Sequence, residues 1–170
     1  MRWLFAVLDG ATKGLFWLAC LLAGGIFLVV SYEVLARNLA LPSIVWGVNS
    51  VEYALLHLTF LSMPYLVLTR GHVSVELLVH TLPPAPRRAL ELFLHGLAAA
   101  ICLYLAWRAG LALERAIQRG SFEVRSFDMP RWAILFSMPL GLGLSGLQFL
   151  AFPLRGESFF AVTPDKGAGL

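Results

Sequence analysis

Four long stretches of this sequence lack every Asp, Glu, Lys and Arg residue. They cover residues 14–32, 53–69, 92–107 and 133–154, which are 19, 17, 16 and 22 residues long. A helix needs about 20 apolar residues to cross the roughly 30 Å hydrocarbon layer of a bilayer. The first and last stretches alone are long enough, and the other two become so when flanking charged residues lie at the membrane surface. The chain is therefore expected to cross a membrane four times.

The composition agrees with lipid as the solvent of these stretches. The 170 residues are 59% hydrophobic and 14% charged, with a mean hydropathy of +0.77. This apolar content exceeds what a single water-soluble core usually needs. We predict an all-α integral membrane four-helix bundle that forms a single domain, with spans at about 14–37, 48–69, 89–112 and 132–154.

The segment between the second and third spans is too short to cross the bilayer. Residues 73–82 mix leucine and valine with Ser74, Glu76 and His80, and prolines follow from Pro83. A short helix with one apolar and one polar side lies in the membrane surface. We predict an amphipathic interfacial helix over residues 73–82.

The charges do not decide the orientation of the chain. Seven Lys or Arg residues fall on the side of the two termini and six on the other side, so the positive-inside rule gives no clear answer. The formal charge of +3 is scattered between apolar segments, which does not indicate a nucleic-acid surface. Cys20 and Cys102 lie inside predicted spans and are interpreted as small hydrophobic residues.

Three ionisable residues lie near the ends of the first two spans. Glu33 and Arg37 have the i, i+4 spacing of a helical ion pair, and Glu52 lies at the adjoining end of the second span. Charged groups this close to hydrocarbon need a partner or an interfacial position. They are predicted to form one polar cluster, which either closes the first helix against the second or contacts another membrane subunit. A proton relay is less favoured, because spans three and four have no acidic residue in their interiors.

Small residues recur at helical spacing in the last two spans. Ser137, Gly141 and Ser145 follow one another at intervals of four, and Gly96 and Ala100 do the same in the third span. Small residues in register let the backbones of two membrane helices approach closely. These five positions are predicted to be helix-packing sites, with simple apolar filler as the alternative.

Two histidines raise the possibility of a cofactor. His57 in span two and His95 in span three could ligate a b-type haem as two axial imidazoles. At about 1.5 Å per residue, His57 lies roughly 20 Å from Arg70 and His95 about 10 Å from Arg88, so their depths disagree. Hydrogen-bonded histidines and no cofactor are favoured. The sequence also shows no nucleophile with a base, no phosphate loop and no metal-ligand spacing, so no enzyme is predicted.

A set of short motifs occurs in a fixed order along the chain. They are Tyr32-Glu33-Val34-Leu35-Ala36-Arg37-Asn38, then Trp46 and Glu52, then Arg70-Gly71-His72-Val73-Ser74-Val75, then Leu82-Pro83 and Arg87 or Arg88. In this order and spacing, the chain resembles the small, DctQ-like membrane subunit of tripartite ATP-independent periplasmic (TRAP) transporters. The resemblance runs from about residue 14 to residue 154.

The resemblance implies a non-catalytic small permease subunit of a sodium-coupled transporter for organic acids. Its partners would be a much larger multi-spanning membrane subunit, a periplasmic substrate-binding protein and the lipid bilayer. The subunit would be a fixed scaffold in the bacterial inner membrane, with both termini in the cytoplasm and no cofactor.

In that frame, Glu33, Arg37 and Glu52 would lie on the periplasmic side, together with a set of arginines. The set expected to help dock the binding protein is Arg108, Arg115, Arg119, Arg125 and Arg131. Two alternatives stay open from the residues alone. One is a bis-histidine haem b electron-transfer subunit, and the other is a small transporter that works as a homo-oligomer.

Overall fold

The computed structural model describes residues 2–69, 84–125 and 127–155. The predicted interfacial helix over residues 73–82 lies outside these described residues. The elements, in chain order, are α1 (Arg2–Asn38), α2 (Gly47–Leu68), α3 (Pro84–Arg119), β1 (Phe122–Val124), β2 (Asp128–Pro130), α4 (Arg131–Leu135) and α5 (Ser137–Arg155).

Four helical segments among the described residues are long and apolar enough to cross a membrane. They are Trp3–Asn38, Gly47–Leu68, Ala89–Arg119 and Arg131–Arg155, the last formed by α4 and α5 together. The prediction of an all-α membrane protein with four spanning helices is confirmed. With 37 and 36 residues, α1 and α3 are each about 55 Å long. Part of each therefore lies outside the hydrocarbon layer.

The helices follow one another in the spatial order α1, α2, α5, α3. Extensive contacts join α1 to α2, α2 to α5 and α5 to α3, and α1 also touches α5. In the most apolar windows of α1 and α3, 6% and 17% of the residues are buried, against 22% in α2 and 33% in the α4–α5 segment. The two long helices therefore form the edges of a row, and most of their apolar surface is left for lipid or another chain.

Glycines allow α5 to fit between its two neighbours. A Cβ atom added at Gly141 would overlap the backbone carbonyl of Phe60 in α2. A Cβ atom added at Gly146 would lie 2.9 Å from Cγ of Leu103 in α3. Close backbone approach at small residues is a common way to join membrane helices. The middle of the row thus depends on positions that have no room for a side chain.

A short β-hairpin connects α3 to α4. Gly120 follows α3 with φ 54°, and the Gly120 and Ser121 N–H groups donate to the carbonyls of Ile117 and Ala116. The antiparallel strands β1 and β2 then place Glu123 opposite Met129. The strands are not evident from the sequence, because segments of three residues are too short to show an alternating pattern.

Candidate functional site

The hairpin end of the row comprises the α1–α2 loop, the β-hairpin and the helix termini beside them. There, the Glu33 carboxylate accepts a hydrogen bond from the Ile44 N–H at 3.1 Å. It also lies 3.9 Å from the Arg37 guanidinium, and the Glu33 side chain is 18% exposed against 72% for Arg37. Tyr32, the residue before Glu33, donates its hydroxyl to the Pro42 carbonyl at 3.3 Å. Glu33 therefore fixes the α1–α2 loop and leaves most of Arg37 accessible.

The hairpin is attached to α2 at the same end. The Arg125 guanidinium donates to the Glu52 carboxylate at 2.7 Å and lies 3.7 Å from the Glu123 carboxylate. The ring of Phe127 meets the Tyr53 ring edge-on, with centroids 6.1 Å apart. The structure thus places Glu52 with Arg125, a partner that the sequence analysis did not assign, while Glu33 and Arg37 pair with each other nearby.

All five arginines of the predicted docking set are exposed. They lie on the last turns of α3, in the hairpin and at the first residue of α4. Among the described residues, only Arg125 of this set forms an ion pair. The structure therefore gathers these charges on one end of the molecule, and four of the five guanidinium groups are available to another molecule.

The terminal end of the row, formed by the start of α1 and the end of α5, contains a polar network that the sequence analysis missed. Arg155 donates to the Asp9 carboxylate at 2.8 Å. The Gln148 amide donates to Asp9 at 3.2 Å and to the Thr12 hydroxyl at 3.0 Å. Thr12 and Gln148 are 0% and 1% exposed. The Phe5 ring lies against the Arg155 guanidinium, 4.7 Å from ring centroid to Cζ, which adds a cation–π contact.

One signal in the sequence could have found this network. Gln148 is the one side-chain amide in the charge-free stretch of residues 133–154. A buried amide in a membrane helix needs hydrogen-bond partners, which must come from another helix when its own backbone is already paired. Asp9 is a charged residue in the apolar start of α1, so it also needs a hydrogen-bond or ion-pair partner. The sequence alone could not show that Gln148 and Asp9 are partners.

The two histidines lie at different levels of the row. His57 Nδ1 is 2.8 Å from the Ser137 hydroxyl at the start of α5. The His95 ring instead packs near Phe149 and Phe152, with centroids 6.3 and 5.9 Å away. These contacts are at least 12 residues apart along α5, which is about 18 Å. The geometry does not bring the two imidazoles together as axial haem ligands, and each one joins α5 to a neighbouring helix.

The predicted helix-packing residues divide into two groups. Ser137, Gly141 and Ser145 are all buried: Ser137 contacts His57 and Gly141 lies against Phe60 in α2, and Ser145 donates to the Gly141 carbonyl at 2.8 Å. Gly96 and Ala100 are exposed on α3, and a Cβ atom added at Gly96 would meet nothing within 4 Å. The three residues of α5 thus lie in a helix contact within this chain, whereas the two of α3 face outward.

These observations define a small multi-pass membrane protein whose polar contacts are concentrated at the two ends of a row of helices. In the part of the chain that the structure describes, no group of three His, Cys, Asp or Glu residues could hold a metal ion. The family profile described as tripartite ATP-independent periplasmic transporters, DctQ component, matches residues 26–157. The chain belongs to this family and is the small membrane component of a TRAP transporter. Comparison with the curated proteins gave no match.

Proposed function

We propose that this chain is the non-catalytic scaffold of a sodium-coupled TRAP transporter that imports organic acids across the bacterial inner membrane. It supports a large multi-spanning subunit, which carries out transport, and its hairpin end helps a periplasmic binding protein to dock. Both termini are then cytoplasmic, and the hairpin end is periplasmic. Membership of the DctQ family supports the assignment to this type of transporter.

The observation that supports a scaffold is that the row is fastened at both ends by residues far apart in sequence. Arg155 and Asp9 are 146 positions apart, and Arg125 and Glu52 are 73 apart. A scaffold must keep its shape while its partner moves. The buried terminal network resists bending most, because separating its members would leave polar groups without partners in an apolar region.

The exposed arginines support the docking role. Four of the five arginines have no ion-pair partner among the described residues, and such exposed charges attract an oppositely charged partner and orient it during approach. The chemistry favours a binding protein with an acidic patch beside its ligand cleft. With the hairpin end on the periplasmic side, as proposed, the last turns of α3 and the hairpin carry these arginines where a binding protein can reach them.

Reconstitution tests the scaffold proposal. The chain is co-expressed with its large membrane subunit, purified in mild detergent and placed in liposomes with the binding protein outside. We expect equimolar co-elution, and uptake of a labelled organic acid that needs both subunits and an inward sodium gradient. Uptake by this chain alone would contradict the proposal and favour the homo-oligomeric transporter. A Soret band in the purified chain would favour the haem alternative.

A further inference from the structure

One side of α2 faces away from the rest of the chain, apart from the ion pair of Glu52 with Arg125 at the hairpin end. Its residues follow the 3–4 spacing of a helix face and form what we name the α2 stripe: Val48, Glu52, Leu55, Thr59, Ser62, Leu66 and Thr69. All are exposed except Ser62, which is partly buried. The stripe extends over 21 residue steps, or about 32 Å, which is the thickness of the hydrocarbon layer. It is therefore long enough to contact a spanning helix from one membrane surface to the other.

The middle of the α2 stripe is polar. Thr59 donates its hydroxyl to the Leu55 carbonyl at 2.9 Å, and Ser62 donates to the Thr59 carbonyl at 3.2 Å. Both donors are thus satisfied within the helix, yet each hydroxyl oxygen can still accept a hydrogen bond. Ser and Thr are enriched where one membrane helix touches another, because they are small and can bond across the contact.

The outward side of α5 provides a contrast within the same row. Its exposed residues in the apolar interior are Leu140, Leu147 and Leu150. Lipid chains are suitable neighbours for a leucine surface. The α2 stripe has hydroxyl groups at the same depth, so the two middle helices present different chemistry to their surroundings. This difference indicates protein beside α2 and lipid beside α5.

A groove continues the α2 stripe toward α1. It has a volume of about 290 Å³, and valines line it: Val29, Val30, Val34, Val48 and Val51. Val48 belongs to both the groove and the stripe, so the two surfaces are continuous. Glu33 and Arg37 also line the groove. The groove thus adds a β-branched apolar cleft at the hairpin end of the stripe, and such a cleft is a surface that a helix side can fit.

The charges beside the groove indicate the chemistry of the occupant. The Glu33 carboxylate is mostly covered and accepts from the Ile44 N–H, whereas the Arg37 side chain is 72% exposed. At 3.9 Å the Glu33–Arg37 pair is loose, so the guanidinium can take another carboxylate. An acidic side chain near the hairpin end of the occupant would complement it.

We propose that the α2 stripe and the α1–α2 groove together seat one transmembrane helix of the large TRAP subunit, with an acidic residue of that helix facing Arg37. This inference rests on the proposed function and adds to it the side of the small subunit that meets its partner. The opposite leucine surface of α5 then faces lipid.

Photo-crosslinking in the co-expressed complex tests the assignment. A benzophenone amino acid replaces Val48, Leu55 or Thr59 in turn, and as matched controls it replaces Leu140 or Leu147 of α5. We expect adducts with the large subunit from all three stripe positions, at least tenfold stronger than from the two controls. Adducts with a second copy of this chain, or none from the stripe while the controls react, would overturn the proposal.

A second measurement separates this inference from the proposed function. Thr59→Trp is expected to reduce co-elution of the large subunit at least tenfold, whereas Leu147→Trp leaves it unchanged, with equal amounts of small subunit in the membrane. If the unmodified chain co-elutes with the large subunit and Thr59→Trp co-elutes equally well, the α2 stripe is not the contact surface, and the proposed function still stands. If the unmodified chain never co-elutes, the proposed function itself fails.

Discussion

The guanidinium of Arg155 and the carboxylate of Asp9 lie 2.8 Å apart, although 146 positions separate the two residues in the chain. Their side chains are 16% and 27% exposed. This contact joins α1, the first helix of the chain, to α5, the last helix that the structure describes. Gln148 donates to the same carboxylate, so Asp9 is the acceptor at the centre of the terminal network.

Removal of the Arg155 charge should destabilise the isolated subunit. In Arg155→Met, Asp9 loses its closest donor while remaining largely covered, and leaving such a group under-paired costs about 1–3 kcal/mol. The change is measured as a lower midpoint of unfolding in detergent. Lys13→Met serves as the control, because Lys13 is an exposed cation one turn from Asp9, and its loss should change the free energy of unfolding by less than about 0.5 kcal/mol. Equal effects of the two substitutions would contradict the structural role of the pair.

The ion pair between Glu52 and Arg125 should hold the hairpin in place but contribute little to the stability of the whole fold. Both side chains are about half exposed, so the pair contributes about 0–1 kcal/mol to stability. Glu52→Gln should leave the unfolding midpoint nearly unchanged but increase amide hydrogen exchange in residues 121–131. High salt should have the same effect on the unmodified chain through screening. The control is Glu114→Gln, which removes an exposed carboxylate of α3 whose one hydrogen bond within the described residues comes from the Gln118 amide. Equal hairpin exchange in both variants would show that the ion pair does not hold the hairpin.

A single methyl group at Gly141 should loosen the contact between α2 and α5. The added Cβ would overlap the Phe60 carbonyl, which is backbone and cannot rotate away, so the helices must separate. Overpacking of this kind costs about 1–3 kcal/mol. Gly141→Ala is therefore expected to lower the unfolding midpoint in detergent.

Gly96→Ala is the matched control for the same substitution, because its methyl group would meet open space in this chain. Alanine also has a better helix propensity than glycine, so the isolated subunit should be unchanged or slightly more stable. If Gly96→Ala reduced binding of the large subunit without affecting the isolated chain, the predicted packing role of Gly96 would apply between chains. Equal destabilisation by both variants would contradict the packing described for Gly141.

The sequence predicted those features that depend on local composition. The spans follow from stretches without charge, because hydrocarbon forces a chain to satisfy its backbone hydrogen bonds within a helix. The Glu33–Arg37 pair follows from helical spacing, and counting residues from the loop already indicated that His57 and His95 lie at different depths. The partners of Glu52 and Gln148 could not be predicted, because pairing across 73 or 136 positions depends on which helices are neighbours in space. A single sequence does not contain that information.

Reversal of two charges at the hairpin end should weaken docking of the binding protein. Arg115 and Arg119 are exposed, lie one turn apart at the C-terminal end of α3 and form no ion pair among the described residues. Arg115→Glu with Arg119→Glu should therefore leave the unfolding midpoint unchanged while raising the Kd for the binding protein at least tenfold, mainly through slower association. Surface plasmon resonance on the reconstituted complex measures both rates, and the effect should shrink as salt is raised. Lysine at both positions keeps the charge and should retain binding. If the glutamate variant binds the protein and supports uptake as the unmodified chain does, these arginines have no docking role, because attraction over the distance of an encounter depends on the sign of the charge and not on the shape of the side chain.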